Sequence, residues 1–124
     1  DYFQPSLEKL TIIRILKLWL IIVLIAHLIA CIMHAIADHN TDSLNWLDYY
    51  GYSHESILKR YLASAYWSVA TISTIGYGDI TPLNDLEKFF AIIVMLIAIS
   101  IISYAINTLG SIFTEINEYR VQAK

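Results

Sequence analysis

Six consecutive residues, Thr74-Ile75-Gly76-Tyr77-Gly78-Asp79, offer the clearest chemistry in this sequence of 124 residues. Two glycines at alternate positions permit positive φ values, which residues with a Cβ avoid. Alternating the sign of φ turns successive carbonyl oxygens to one side, and the Thr74 hydroxyl can extend that row from below. Such oxygens are hard and neutral, suited to replacing the hydration shell of an alkali cation without holding it permanently. One chain supplies only one wall of such a cage, so several copies around an axis are required. A tight glycine turn is the plainer reading of an isolated Gly-x-Gly. The position of this one, after a short helical pattern and between two long apolar runs, argues against it.

Those runs are the elements that must position the segment. Residues 18–37 and 89–113 contain no formal charge. At 1.5 Å per residue the first matches the roughly 30 Å hydrocarbon core of a bilayer. The second is long enough to span with tilt. The whole chain is 57% hydrophobic and only 15% charged, against about a quarter charged in a typical soluble domain. Two core helices of a soluble protein are the alternative, but too little polar chain remains to cover them. The net charge of −3 argues against binding a nucleic acid polymer. The single cysteine, Cys31, excludes an intramolecular disulfide. With no initiator methionine, the chain reads as a piece of something longer.

Between the runs, residues 38–56 are polar, including Asn40, Thr41, Asp42, Ser43, Gly51 and Ser53, and read as a solvated loop. Trp46, Tyr49, Tyr50 and Tyr52 within it suggest an interfacial aromatic belt. Residues 57–74 turn helical, with Ser56 an N-cap candidate, but are too short to cross a bilayer. Irregular backbone follows from Ile75 to Pro82, which membrane depth tolerates only where it is buried in protein or lines a cavity. Lys9, Arg14, Lys17, Arg120 and Lys124 flank the outer ends of the spans, against Lys59, Arg60 and Lys88 between them. That bias favours both termini on the cytoplasmic side. Seven acids against three bases in residues 38–88 make the opposite side attractive to cations.

Thr74 to Asp79 resembles the selectivity filter of potassium channels, with Ile75 where the commonest form has valine. The resemblance covers nearly the whole chain. It implies an all-α membrane protein with two transmembrane helices, a re-entrant pore helix and a filter loop, assembled as a tetramer. The chain is then a single pore domain, 1–124. It would comprise a linker (1–17), outer helix (18–37), turret (38–56), pore helix (57–73), filter (74–79), outer loop (80–88), inner helix (89–118) and the start of a cytoplasmic linker (119–124). The family's mechanism would have potassium shed water onto the carbonyls of Thr74, Ile75, Gly76 and Tyr77 and the Thr74 hydroxyl, with Gly78 completing the filter. Asp79 would sit at the outer mouth, with Tyr66 and Trp67 supporting the filter from behind. No cofactor is implied beyond the permeant ion.

Within the superfamily, the cyclic-nucleotide-gated and ether-à-go-go branch is the most similar. His27-Leu28-Ile29-Ala30-Cys31, Ala65-Tyr66-Trp67-Ser68 and Gly78-Asp79-Ile80-Thr81-Pro82 fit its patterns, and the inner helix lacks a Pro-x-Pro kink. Ala98 stands where many inner helices carry a hinge glycine. Ala70 stands where some potassium channels carry an acid, which leaves Asp79 without that partner. The branch implies a multi-pass protein of the plasma membrane, as a homotetramer or a heterotetramer with related subunits. A voltage sensor and a cyclic-nucleotide-binding domain of the full chain are possible accompaniments. A weakly selective sodium and potassium channel shares the Gly-Tyr-Gly core and is the alternative; Thr74 and Asp79 favour potassium. A non-conducting assembly subunit is a third reading.

Ile99, Ile102, Ile106 and Gly110 share a helical stripe that would line a cavity and gate, and Asn107 should face the pore or another helix rather than lipid. His27 and His34, seven apart, read as packing histidines facing the pore helix, and Cys31 as a small buried hydrophobe. Gly76 and Gly78 do not begin a dinucleotide fingerprint, since Thr81 stands where a third glycine is needed. With no zinc spacing or placed catalytic triad, an enzyme is not expected.

Overall fold

The computed structural model describes residues 3–40 and 42–123. Asp1, Tyr2 and Lys124, at the ends of the expected linkers, and Thr41 of the turret lie outside the described residues. The described residues form four helices and no strand: α1 (Phe3–His39), α2 (Trp46–Tyr49), α3 (Ile57–Ile72) and α4 (Asp85–Ala123).

Helices α1 and α4 contain the two segments able to span a membrane, Glu8–His39 and Asp85–Gln122, and only 22% of each apolar window is buried. A soluble core helix would be covered nearly throughout, so the exposed apolar surface belongs against lipid or other copies of the chain. The molecule is a membrane protein. Arg14 Nη1 meets Glu115 Oε2 at 2.6 Å, which sets the start of the α1 span beside the end of the α4 span. The start of the α1 span and the end of the α4 span therefore lie on one side, with α2, α3 and residues 74–79 toward the other.

Helix α3 docks along α1 through small and polar side chains. Ser68 Oγ donates to the Ala26 carbonyl at 2.8 Å, and Ser64 Oγ to the Arg60 carbonyl of its own helix. Both serines are fully buried, and their size permits the close approach that helices at membrane depth favour. The core gathers Ala26, Ile29 and Met33 of α1, Trp67 and Ile72 of α3, and Ala91, Val94 and Ala98 of α4. Ala98 thus packs tightly against its neighbours. At α3's start, Ser56 accepts the Lys59 N–H at 3.3 Å, the N-cap the sequence suggests.

Several boundaries differ from expectation. Helix α1 runs through most of the expected linker, because residues 8–17 include the good helix formers Glu8, Lys9, Leu10, Arg14, Leu16 and Lys17 and hold no glycine or proline to break them. Pro5 falls in the first turn, where a missing N–H is tolerated. Helix α4 starts at Asp85, inside the expected outer loop. There Asn84 Oδ1 accepts the Glu87 N–H at 2.8 Å, a capping contact. The expected solvated loop holds α2 and a buried centre, Asn45, Trp46 and Leu47. Trp46 is therefore a core residue rather than part of an aromatic belt, its indole N–H donating to the Met33 carbonyl at 3.1 Å. Cys31 is exposed, not buried.

Candidate ion-conduction site

Helix α3 delivers the chain to the filter segment by an unusual C-terminus. Ser73 caps it, and Thr74 follows with φ of +64°. That is the left-handed conformation that normally calls for glycine after a helix. The Thr74 N–H donates to the Thr71 carbonyl at 3.2 Å, and the Gly76 N–H reaches back to the Ala70 carbonyl at 3.2 Å. These bonds lash the start of the segment to the last turn of α3. A β-branched residue at this φ is strained, by about 1–3 kcal/mol, and persists because both flanking bonds hold it.

From Thr74 the sign of φ alternates as the glycine spacing suggests. Thr74, Gly76 (+57°) and Gly78 (+77°) are positive, while Ile75 and Tyr77 are not. Among the described residues, no group of the chain donates a hydrogen bond to the carbonyls of Thr74, Ile75, Gly76 or Tyr77. The Thr74 hydroxyl donates to the Ser73 carbonyl at 2.6 Å, which leaves its oxygen lone pairs free. All six residues from Thr74 to Asp79 are exposed in the single chain. The segment is a strip of acceptor oxygens without internal partners.

The strip shares a hollow of about 360 Å³ with α3 and α4, with Trp67, Ala70, Thr71, Met95, Ala98 and Ile99 among its walls. Trp67 is buried there. Tyr66, one residue earlier, is the ring stacked against Tyr77 in the same chain, with centroids 6.4 Å apart and planes within 6°. Asp79 also acts on the Tyr66 hydroxyl. Hydrogen bonding with that carboxylate, and then desolvation, raises the Tyr66 pKa above its ordinary value near 10. Ala70 cannot supply a partner for Asp79; Tyr66 can, and the Tyr66-to-Asp79 spacing alone did not reveal this.

On α4, Ile99 and Ile106 are 60% and 66% exposed and Gly110 is also open, whereas Ile102 is half-buried. The stripe therefore lies largely uncovered in one chain, with Ile99 alone among these four reaching the hollow beside residues 74–79. Asn107 is set apart, in a crevice with Arg14 and Lys17 of α1, where it faces another helix. His27 meets α3 as anticipated, its Nδ1 2.6 Å from the Tyr61 hydroxyl.

One residue the sequence reading counted only as a charge proves central to the outer structure. Glu87 is fully buried. Its Oε1 accepts the Leu83 N–H at 2.9 Å and its Oε2 the Trp46 N–H at 3.2 Å. It ties the start of α4 to the start of α2. Asn84 adds a bond from its side-chain amide to the Leu44 carbonyl at 2.9 Å, and the Tyr50 hydroxyl meets Thr81 Oγ1 at 2.8 Å. The signal was present as Asn84-x-x-Glu87, a capping-box spacing just before an apolar run.

Two apolar spans that enclose a short non-spanning helix and an acceptor-lined strip define the class: a membrane pore module. Residues 14–115 match the model of a family described as ion channels, and the chain belongs to that family. Residues 14–115 are thus an ion-channel domain rather than an enzyme domain. The chain is 32% identical over 103 residues to the potassium channel AKT1 of Arabidopsis thaliana, covering 81% of this chain and 12% of that protein. It is 34% identical over 104 residues to the potassium channel KAT3 of the same plant, covering 82% and 16%. The potassium channel AKT3 of rice is 34% identical over 103 residues, covering 81% and 11%. The chain thus spans less than a fifth of the length of these relatives.

Proposed function

We propose that the chain forms the pore of a potassium-selective channel, with four copies arranged around an axis that runs along the Thr74–Gly78 strip. The observation that carries this reading is the alternating φ over Thr74–Gly78 with four unpaired carbonyls. Polar backbone at membrane depth requires partners. A dehydrated cation held by the same strips of neighbouring copies supplies them. The carbonyls of Thr74, Ile75, Gly76 and Tyr77 and the Thr74 hydroxyl take the place of the ion's water, and passage is passive. The relatives' names support potassium as the ion.

The other assignments follow. Asp79 from each copy forms an acidic ring at the outer mouth, where it concentrates cations. The open stripe of Ile99, Ile106 and Gly110 faces the water-filled path below the filter, with Ile102 at its margin. The basic residues at the chain ends orient both termini to the cytoplasm of a plasma membrane.

The test is the reversal potential of the purified protein in a planar bilayer, with potassium on one side and sodium on the other. A reversal close to the potassium equilibrium potential is the expected result. A clear current that reverses near zero would overturn potassium selectivity in favour of a weakly selective cation pore.

A further inference from the structure

We propose that the seam between α1 and α4, at the end of the molecule where the chain termini lie, is a binding site for one anionic phospholipid. Two adjoining hollows make the seam. The one nearer the chain ends, of about 240 Å³, is lined by Arg14, Lys17, Asn107, Thr108 and Ser111. The next, of about 270 Å³, is lined by Ile22, Ile25, Ile97, Ser100 and Ile101. Leu18, Ile21 and Tyr104 border both, so the two form one continuous groove that turns from basic and hydroxylated to aliphatic.

The position of the change in polarity identifies the occupant. Arg14 and Lys17 lie just before residue 18, where the charge-free run of α1 begins, and Glu115 lies just after residue 113, where that of α4 ends. The basic hollow is therefore at headgroup level and the aliphatic one at acyl-chain level. Two cations and three neutral side-chain donors suit a phosphate, and the isoleucine walls below suit a hydrocarbon chain attached to it. A free phosphate would use only the first hollow; a neutral lipid would leave the cations unused. Basic hollows between membrane helices are suited to anionic headgroups.

The structure also shows the competitor. Arg14 is engaged by Glu115 at 2.6 Å. With both side chains about half exposed, that pair is weakly held. A lipid phosphate would take the guanidinium from Glu115, so the carboxylate tunes the affinity of the site.

The test is native mass spectrometry of the purified protein, with dioleoyl phosphatidylglycerol and dioleoyl phosphatidylcholine as probes and glycerol 3-phosphate as competitor. Wild type should retain phosphatidylglycerol preferentially. Arg14→Gln and Lys17→Gln should each lower that retention roughly fivefold and leave phosphatidylcholine unchanged, while Glu115→Gln should raise it. Ile97→Trp, which fills the aliphatic hollow and touches no charge, should weaken both lipids. These residues are exposed or half-exposed, and an unchanged circular dichroism spectrum checks that each variant is folded. Equal phosphatidylglycerol retention by wild type and the Arg14→Gln/Lys17→Gln double variant would overturn the proposal. So would its displacement by glycerol 3-phosphate, which would mark a site for free phosphate, or retention absent because a second copy of the chain fills the seam. The binding requires only the membrane fold, so its outcome is independent of ion selectivity.

Discussion

The filter segment and the outer cap above it treat polar groups in opposite ways. In the cap, Glu87, Asn45 and Trp46 are buried and their polar atoms paired within the chain, and no buried side-chain polar atom among the described residues lacks a partner. In the filter segment, four successive carbonyls have no partner, and a β-branched residue is held at positive φ. The cap is finished by one chain; the strip is not. On the proposed function, this contrast is that of a rigid frame presenting a surface for other copies and a passing ion to complete. Strain and unpaired acceptors concentrate at the working segment, while the surrounding structure is made stable enough to hold them.

The largest effect is expected from adding a single methyl group to the strip. At Gly76 a Cβ would meet nothing within 4 Å in the single chain, yet φ is +57°. The penalty is therefore one of backbone conformation, about 1–2 kcal/mol for a residue with a side chain. Repeated in every copy around an axis, it should turn carbonyls out of the row. Gly76→Ala should abolish potassium selectivity or conduction in bilayer recordings, with membrane insertion and helix content retained. Unchanged selective flux in this variant would return the segment to a plain glycine turn and erase the contrast with the cap.

The second effect falls on the frame. Glu87→Ala removes the acceptors of the Leu83 and Trp46 N–H groups. Each donor left unpaired costs about 1–3 kcal/mol, so a loss of roughly 2–6 kcal/mol is expected for the two. It should appear as a lower thermal unfolding midpoint, with red-shifted Trp46 emission as α2 loosens. Glu87→Gln should lose less, because one carbonyl oxygen remains, but its NH₂ then opposes a backbone N–H. If Glu87→Ala unfolds at the wild-type midpoint, the cap is held by packing alone.

Much of this arrangement was legible in the sequence, for identifiable reasons. Charge-free runs, the Ser56 cap and the spacing of Gly76 and Gly78 are local signals, and the helices, the docking of His27 on α3 and the alternating backbone follow them. What was not legible depends on long-range contacts. Nothing within residues 38–56 reveals that Trp46 is buried, because its partners are Met33 and Glu87. The exposure of Cys31 depends on which face of α1 meets α3. The positive φ of Thr74 is hidden as well, since a β-branched residue predicts the reverse and only the bonds to Thr71 and Ala70 hold it there. Asn107 could be placed against a helix from its polarity, but not against Arg14 and Lys17.

The smallest effect probes the junction of the two regions. Tyr66 stacks on Tyr77, and Asp79 raises the pKa of the Tyr66 hydroxyl. Tyr66→Phe keeps the ring and deletes only the hydroxyl, so selectivity should persist. The difference should appear in the alkaline limb. Because the Tyr66 pKa is raised in the folded protein, its neutral form contributes stability that is fully present below the ordinary pKa near 10. That contribution is lost as pH rises through the higher folded value, where the phenolate would stand beside the Asp79 carboxylate. Thermal unfolding of wild type should therefore lose stability above pH 10 more steeply than Tyr66→Phe, while the two curves run parallel between pH 6 and 9. The other tyrosines titrate in both proteins and cancel in the comparison. Parallel curves through pH 11 would show that the Tyr66 hydroxyl does not engage Asp79, and that the segment is joined to its frame by the α3 terminus and the Tyr66–Tyr77 ring contact without it.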